Sequence, residues 1–297
     1  MALAPVGQRE WLGEAVEAGG GVLTPPEDAE ALVWASTGNA AELAALLHDD
    51  LRWVQLPWAG IEPFLEVLDD RRTWTCAKGV YAEPVAEHAL ALALAGLRRV
   101  GAYARLPWWG EPLGENLLGA PVTIVGGGGI TRSLVRLLFP FKCEVTVVRR
   151  HPKTMKGVAR VMGPGELREA LVEARVVFLA LPLVPDTVGL IGAVELDGMH
   201  PDAWLVNVGR GRHVVTADLV GALRFGIIGG AALDVTDPEP LPEGHPLWSL
   251  ANCIVTPHVG NTPDMARPLL ERRITENVRR FAEDEKLLGR VNPALGY

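Results

Sequence analysis

Six short apolar runs in the second half of the chain, at 122–125, 144–148, 176–181, 203–208, 229–235 and 253–256, each end at something chemically usable. In order these ends are the glycines Gly126, Gly127, Gly128 and Gly129, the pair Arg149 and Arg150, Leu181 with Pro182, the stretch from Asn207 to Arg210, Asp234, and Pro257 with His258. Apolar runs of this length, bounded by turns, read as strands of a parallel sheet buried on both faces. An open parallel sheet binds its ligand beyond the carboxyl ends of its strands, which is where this sequence puts its polar residues. The pattern therefore points to an α/β fold with one functional edge.

The first half repeats the rhythm on a smaller scale. Runs at 31–34, 51–56 and 73–76 read as strands, with helices at 40–47 and 61–68 between them. Ahead of them, Trp11, Leu12, Ala15 and Val16 space an amphipathic helix over 9–18, and Gly19, Gly20 and Gly21 end it. Pro84 suits a first helical turn, and the Ala/Leu-rich sequence after it predicts one long helix to about 104, bridging two domains. At 297 residues the chain exceeds one ordinary core, so two parallel-sheet α/β domains are expected.

Composition removes several function classes. A net charge of −8 repels nucleic acid and anionic lipid, and no Lys/Arg block offsets it, so neither is expected as a partner. The apolar runs fall short of the ~20 residues of a membrane-spanning helix. Residues 1–10 lack a basic stretch followed by an apolar one, which makes the cytoplasm the expected location. Cys76, Cys143 and Cys253 are odd in number and far apart, as suits reduced core thiols rather than a disulfide framework or a metal site. Trp34, Trp53 and Trp204, in or beside apolar runs, are expected in the core. His88, His213 and His245 have no metal-ligand spacing and take structural readings.

The run at 122–125, the glycines and the apolar-periodic segment 134–139 make a strand, a tight turn and a helix, the context of a dinucleotide-binding fingerprint. Gly126, Gly128 and Gly129 let backbone approach a pyrophosphate, and with Ile130 they offer it the amides of a helix N-terminus. Thr131 occupies the last fingerprint position, where a glycine would pack helix against strand. An acidic residue that would bind the ribose of NAD, ~20 residues beyond the glycines, is replaced by Arg149 and Arg150. A guanidinium pair suits a 2′-phosphate, so NADP(H) is expected in preference to NAD(H).

Several segments, in order, resemble the D-isomer-specific 2-hydroxyacid dehydrogenases, the family that includes glyoxylate/hydroxypyruvate reductases, formate dehydrogenase and phosphoglycerate dehydrogenase. They are Pro84 Val85 Ala86 Glu87 His88; Leu181 Pro182 Leu183 Val184 Pro185 Asp186 Thr187; and Asn207 Val208 Gly209 Arg210 Gly211. They continue with Ala232 Leu233 Asp234 Val235, then Glu239 Pro240 Leu241 Pro242, and Thr256 Pro257 His258 Val259 Gly260. The resemblance implies reversible hydride transfer between a nicotinamide and C2 of a 2-oxo or 2-hydroxy acid. It also implies a Rossmann-type nucleotide domain, 91–264, inserted into a flavodoxin-like substrate domain, 1–90 plus 265–297, with a helix near 266–282 returning to the latter. Relatives are dimers, so a homodimer is expected, with the Trp108 Trp109 loop near the partner's site.

By the same resemblance, His258 is the catalytic acid/base, a task that a side chain titrating near ~6.5 suits. Glu239 orients it and favours its protonated form. Arg210 holds the substrate carboxylate and the carbonyl oxygen, and the backbone amides of Ala59 and Gly60 bind the carboxylate. Asp234 falls where the family holds the nicotinamide carboxamide, and Leu181, Pro182, Val208, Gly209, His258 and Gly260 complete the cofactor site. Singly, each residue also has a structural reading, as a loop ion pair or turn. The expected activity is of the glyoxylate/hydroxypyruvate reductase type. The alternatives are a phosphoglycerate dehydrogenase-like enzyme and a non-catalytic nicotinamide-sensing interaction protein, since fold alone does not fix function.

Overall fold

The structure, a computed structural model, describes residues 1–295 apart from 6, 8, 9 and 37. It divides into two compact units, Met1–Tyr81 with Thr262–Tyr297, and Ala82–Asn261.

In the first unit, β1 (Ala2–Ala4), α1 (Trp11–Ala18), β2 (Ala31–Trp34), α2 (Ala40–Ala45), β3 (Trp53–Gln55) and β4 (Thr73–Thr75) give a parallel sheet of order β1-β2-β3-β4. Residues 22–24 run along the open edge of β1, where the Thr24 amide donates to Met1 O at 2.8 Å. This is the place of the outer strand in a flavodoxin-like order. Trp34 and Trp74 are fully buried in one cluster with Phe64, and Trp53 is fully buried against Phe281, because a four-stranded sheet with few covering helices needs large side chains to fill its core. The short β1 was not visible in the sequence pattern, since three residues establish no period. The helix expected at 61–68 is a 3₁₀ turn, Glu62–Val67, with Pro63 in its first positions; six residues with one amide removed are too few to propagate an α-helix.

The second unit opens with α3 (Ala82–Leu97) and α4 (Val100–Tyr103), then runs β5 (Pro121–Val125), α5 (Gly129–Leu138), β6 (Glu144–Val148), β7 (Arg160–Met162), α6 (Leu167–Leu171), β8 (Val176–Leu179), α7 (Ala193–Asp197), β9 (Trp204–Asn207), α8 (Thr216–Phe225), β10 (Gly230–Leu233) and β11 (Cys253–Val255). The seven strands are all parallel, in the order β11-β10-β9-β8-β5-β6-β7. All six strands expected from the apolar runs are present. The seventh, β7, has one buried position in three and left no apolar run to read. Chain order reverses between β5 and β8, the switch point at which such sheets bind nucleotides.

The long helix expected from 84 to about 104 breaks at Arg99, which adopts φ 54°. There Arg99 Nη1 donates to Gly229 O at 3.3 Å and its guanidinium lies over the Trp204 ring. A domain boundary at 90/91 would cut α3, whose buried face (Ala86, Ala89, Ala93, Leu97) packs with Leu134, Val135 and Trp204. The helix therefore belongs wholly to the second unit. At the other boundary Thr262 caps α9 (Pro263–Ala282), accepting from the Met265 amide, so the first unit resumes at Thr262 rather than at 265. α9 packs on α1, where Thr275 Oγ1 donates to Ala15 O at 3.0 Å.

Candidate active site

The turn after β5 is built for close approach. Gly126 has φ 125°, and a Cβ there would lie 2.2 Å from Ala180 O at the end of β8, so only glycine lets the two strand ends meet across the switch point. A Cβ on Gly128, at the head of α5, would meet nothing within 4 Å. No side chain caps this ten-residue helix, and no acidic residue stands in its first turn. Its leading amides thus have no side-chain cap and a favourable dipole, which fits a pyrophosphate. Thr131 does not disturb the packing: it is fully buried, and its Oγ1 donates to Gly126 O at 3.0 Å, tying the turn to the helix. The residues present therefore fit a dinucleotide.

At the end of β6, Arg149 leans back over this turn; its Nε is 2.7 Å from where a Cβ on Gly127 would be. Arg150 is more exposed and Nη2 donates to Asp186 at 3.3 Å. The two arginines expected to act together are thus unequally placed, Arg149 on the glycine turn and Arg150 in an ion pair.

After β9 the chain turns under its own side chains. Asn207, 1% exposed, accepts from the Gly209 amide and donates to Arg210 O. His213, fully buried, accepts from the Arg210 amide through Nδ1, so its proton sits on Nε2, 3.3 Å from Pro182 O. The turn carrying Val208, Gly209 and Arg210 is thereby locked to the one carrying Leu181 and Pro182. Arg210 Nη1 donates to Gly209 O at 2.8 Å. A Cβ on Gly211 would lie 1.9 Å from Thr236 O, so this glycine brings the Arg210 turn against the loop that bears Glu239.

Beyond β10 and β11 the structure joins two of the expected residues directly: His258 Nδ1 and Glu239 Oε1 are 2.6 Å apart, both exposed at the sheet edge. Glu239 Oε2 accepts from the Thr236 amide at 3.3 Å, which holds the carboxylate. His258 sits at φ 53°, a left-handed conformation that a β-carbon disfavours. Asp234 is the reason that it does. Its backbone oxygen accepts from the His258 amide, Oδ1 accepts from Val259 N and Thr256 Oγ1, and Oδ2 accepts from Gly260 N. His88 Nε2, from α3, adds a contact to Oδ1 at 3.2 Å. Burial pushes the Asp234 carboxyl up, but His88, Thr256 and the two amides outweigh it and hold the group at about 2. At 3% exposure, Asp234 moulds the 258–260 turn.

Ala59 and Gly60 lie in the first unit, in the turn after β3. Three carbonyls of this turn are held from behind: Pro57 O by the Tyr81 hydroxyl at 3.0 Å, Trp58 O by the Ala77 amide at 3.0 Å, and Ala59 O weakly by the Cys76 thiol. Among the described residues the Ala59 and Gly60 amides have no hydrogen-bond partner. A turn with its carbonyls tied down and amides open is suited to an anion.

His88, Asn207 and His213 carry more of this site than sequence reasoning assigned to them. Each acts through partners that no local spacing reveals; His88 meets Thr256 across 168 positions. His245 is a local cap, accepting from the Leu247 amide.

A parallel sheet with a glycine turn at its switch point is the arrangement of a dinucleotide-binding domain, and an imidazole–carboxylate pair stands on the same edge. The chain belongs to the D-isomer specific 2-hydroxyacid dehydrogenases, whose NAD-binding domain model matches residues 89–260, and it is thus an NAD(P)-dependent oxidoreductase. A Corynebacterium melassecola protein described as "Uncharacterized protein in proB 3'region" is 36% identical over 268 residues, 88% of each chain. Glyoxylate/hydroxypyruvate reductase A of Photorhabdus laumondii is 33% identical over 216 residues, 71% of this chain and 68% of its own. A D-isomer specific 2-hydroxyacid dehydrogenase from Xanthobacter autotrophicus Py2, solved with NADPH and MES, is 26% identical and superposes with a TM-score of 0.87 over 100% of this chain and 98% of its own.

Proposed function

We propose that this chain reduces a small 2-oxo acid, of glyoxylate or hydroxypyruvate size, to the D-2-hydroxy acid with NADPH, and that His258 gives the proton. The observation that carries the reading is the 2.6 Å hydrogen bond between His258 Nδ1 and Glu239. With Nδ1 engaged, Nε2 is the nitrogen that exchanges a proton with the substrate oxygen; among the described residues it has no partner. Arg210 presents a planar fork suited to a carboxylate and to the oxygen on which charge develops. In the first unit, the open amides of Ala59 and Gly60 bind a carboxylate. The Trp58 ring, tilted against Tyr81 at 5.8 Å beside those amides, favours a small acid. That unit is accordingly the substrate domain.

The cofactor, when bound, supplies the hydride. Gly126, Gly128, Gly129 and Ile130 would hold its pyrophosphate, and Leu181, Pro182, Val208, Gly209, Asp234 and Gly260 would line it. Arg149, laid on the glycine turn, favours a 2′-phosphate, with Arg150 behind it, and the Xanthobacter relative was solved with NADPH. A homodimer joined through the second unit is supported by the exposed apolar side chains of one segment, Trp108, Trp109, Leu113 and Leu118, the second of them fully exposed. Among the described residues no helix is long and apolar enough to cross a membrane, and we place the protein in the cytoplasm.

The test is NADPH and NADH oxidation, followed by absorbance, against glyoxylate, hydroxypyruvate, pyruvate and bulkier 2-oxo acids. Turnover of the first two with NADPH is expected. Silence across the panel, or a strong NADH preference, contradicts the reading.

A further inference from the structure

The Asp234 carboxylate is the mould of the His258 turn, and three of the four groups that bond it come from the segment that follows β11. Thr256 Oγ1 donates to Oδ1 at 2.6 Å, Val259 N to Oδ1 at 2.9 Å and Gly260 N to Oδ2 at 2.9 Å, while the His258 amide donates to the Asp234 carbonyl at 2.9 Å. These bonds tie the turn to the end of β10, and none of them reaches a helix. The fourth group, His88, comes from α3. Its Nε2 lies 3.1 Å from Thr256 Oγ1 and 3.2 Å from Asp234 Oδ1.

The protonation follows from the partners. The one hydroxyl proton of Thr256 is committed to Asp234, and an ionised carboxylate only accepts, so the hydrogen between His88 and this pair must sit on His88 Nε2. The seat is also tight. A Cβ on Gly260 would lie 2.9 Å from Asp234 Oδ2, 3.5 Å from His88 Cδ2 and 3.7 Å from Val85 Cγ2, so one face of α3 rests directly on the turn.

We propose that His88 is a positioning residue: by donating Nε2–H to Thr256 and Asp234 it ties the 258–260 turn to α3 and so fixes where the His258 imidazole stands. It touches no reacting atom. Its effect on catalysis rests on the reading of His258 given above, whereas its effect on the turn does not. Small misplacements of a proton donor lower turnover steeply, and the donor here occupies a backbone conformation that L residues disfavour. The turn therefore depends on outside support.

Two readouts on H88L and H88Q test this. One is amide hydrogen exchange of the 256–262 segment in the substrate-free protein, and the other is kcat, KM and the Kd for NADPH with glyoxylate and hydroxypyruvate. In H88L the segment should exchange ~10-fold faster while β9 and β10 keep their protection. Its kcat should fall ~10-fold or more, with KM and Kd changed by less than ~3-fold. H88Q, which restores a donor at the same reach, should return both readouts to within ~3-fold of the unmodified protein. Should H88L not fold, T256V removes the hydroxyl between His88 and Asp234, and the exchange measurement is repeated on it. Unchanged exchange overturns the proposal whether or not the protein turns over. Faster exchange with unchanged kcat also overturns it, since His88 would then only stabilise. If the unmodified protein is silent toward every acid, the active-site reading fails, and the exchange result alone decides the role of His88.

Discussion

The carboxyl edge of the seven-stranded sheet and the 57–60 turn of the first unit are built on opposite plans. At the sheet edge, buried side chains hold the backbone: Asp234 gathers the amides of 258–260, Asn207 and His213 fold the Arg210 turn, and Thr131 ties the glycine turn. The side-chain chemistry on that edge is an imidazole on a carboxylate, with the Arg210 guanidinium held to Gly209 O beside it in the chain. In the 57–60 turn the carbonyls are tied from behind and the backbone amides face outward. A proton donor needs a titrating side chain. A carboxylate that only has to be held is served by peptide dipoles, which leave no residue type to read.

Substitutions at the sheet edge should therefore change chemistry, and substitutions at the turn should change binding mildly. After His258 itself, the largest effect is expected for Arg210→Lys, which keeps the charge and loses the fork: kcat/KM for the 2-oxo acid should fall ~10²-fold, read by steady-state kinetics. A change in KM for NADPH alone would move Arg210 from substrate to cofactor.

Asp234 should show itself as stability. Its carboxyl is held at about 2, below the ordinary 3.8, so its contribution is complete above pH ~4 and is lost as pH falls through ~2. That window is worth on the order of 2 kcal/mol. Denaturant unfolding from pH 6 to 2 should find Asp234→Asn less stable at pH 6, with the gap closing toward pH 2. A constant gap would mean that the aspartate charge is not what holds the turn.

Arg149→Ala should raise KM for NADPH ~10-fold and leave KM for NADH nearly unchanged, as for loss of one charge-assisted contact. Equal rises would place Arg149 in the glycine turn's structure rather than at a phosphate. The smallest effect belongs to the turn: Tyr81→Phe removes the hydroxyl on Pro57 O and should raise KM for the acid ~5-fold with kcat retained, the worth of one neutral hydrogen bond.

The same contrast explains what the sequence disclosed. All six apolar runs of the second half became strands with their expected polar ends on one edge, because a strand buried on both faces must be continuously apolar. β1 and β7 are edge strands of three residues and leave no such trace. The break at Arg99 arises from Trp204 and Gly229, more than a hundred positions away. The pairing of His258 with Glu239 was legible through the order of their segments. His88, Asn207 and His213 were not, since a residue that acts by holding another looks like any satisfied polar group until its partner is seen. Ala59 and Gly60 came only through the resemblance, for no side chain marks an amide.

His258, set on Glu239, is proposed to give the proton that accompanies hydride transfer. The direct test is H258Q, assayed for 2-oxo acid reduction alongside NADPH binding by fluorescence. The account predicts kcat lower by ~10²-fold or more with the NADPH Kd essentially unchanged. An H258Q protein that turns over at the unmodified rate would contradict it.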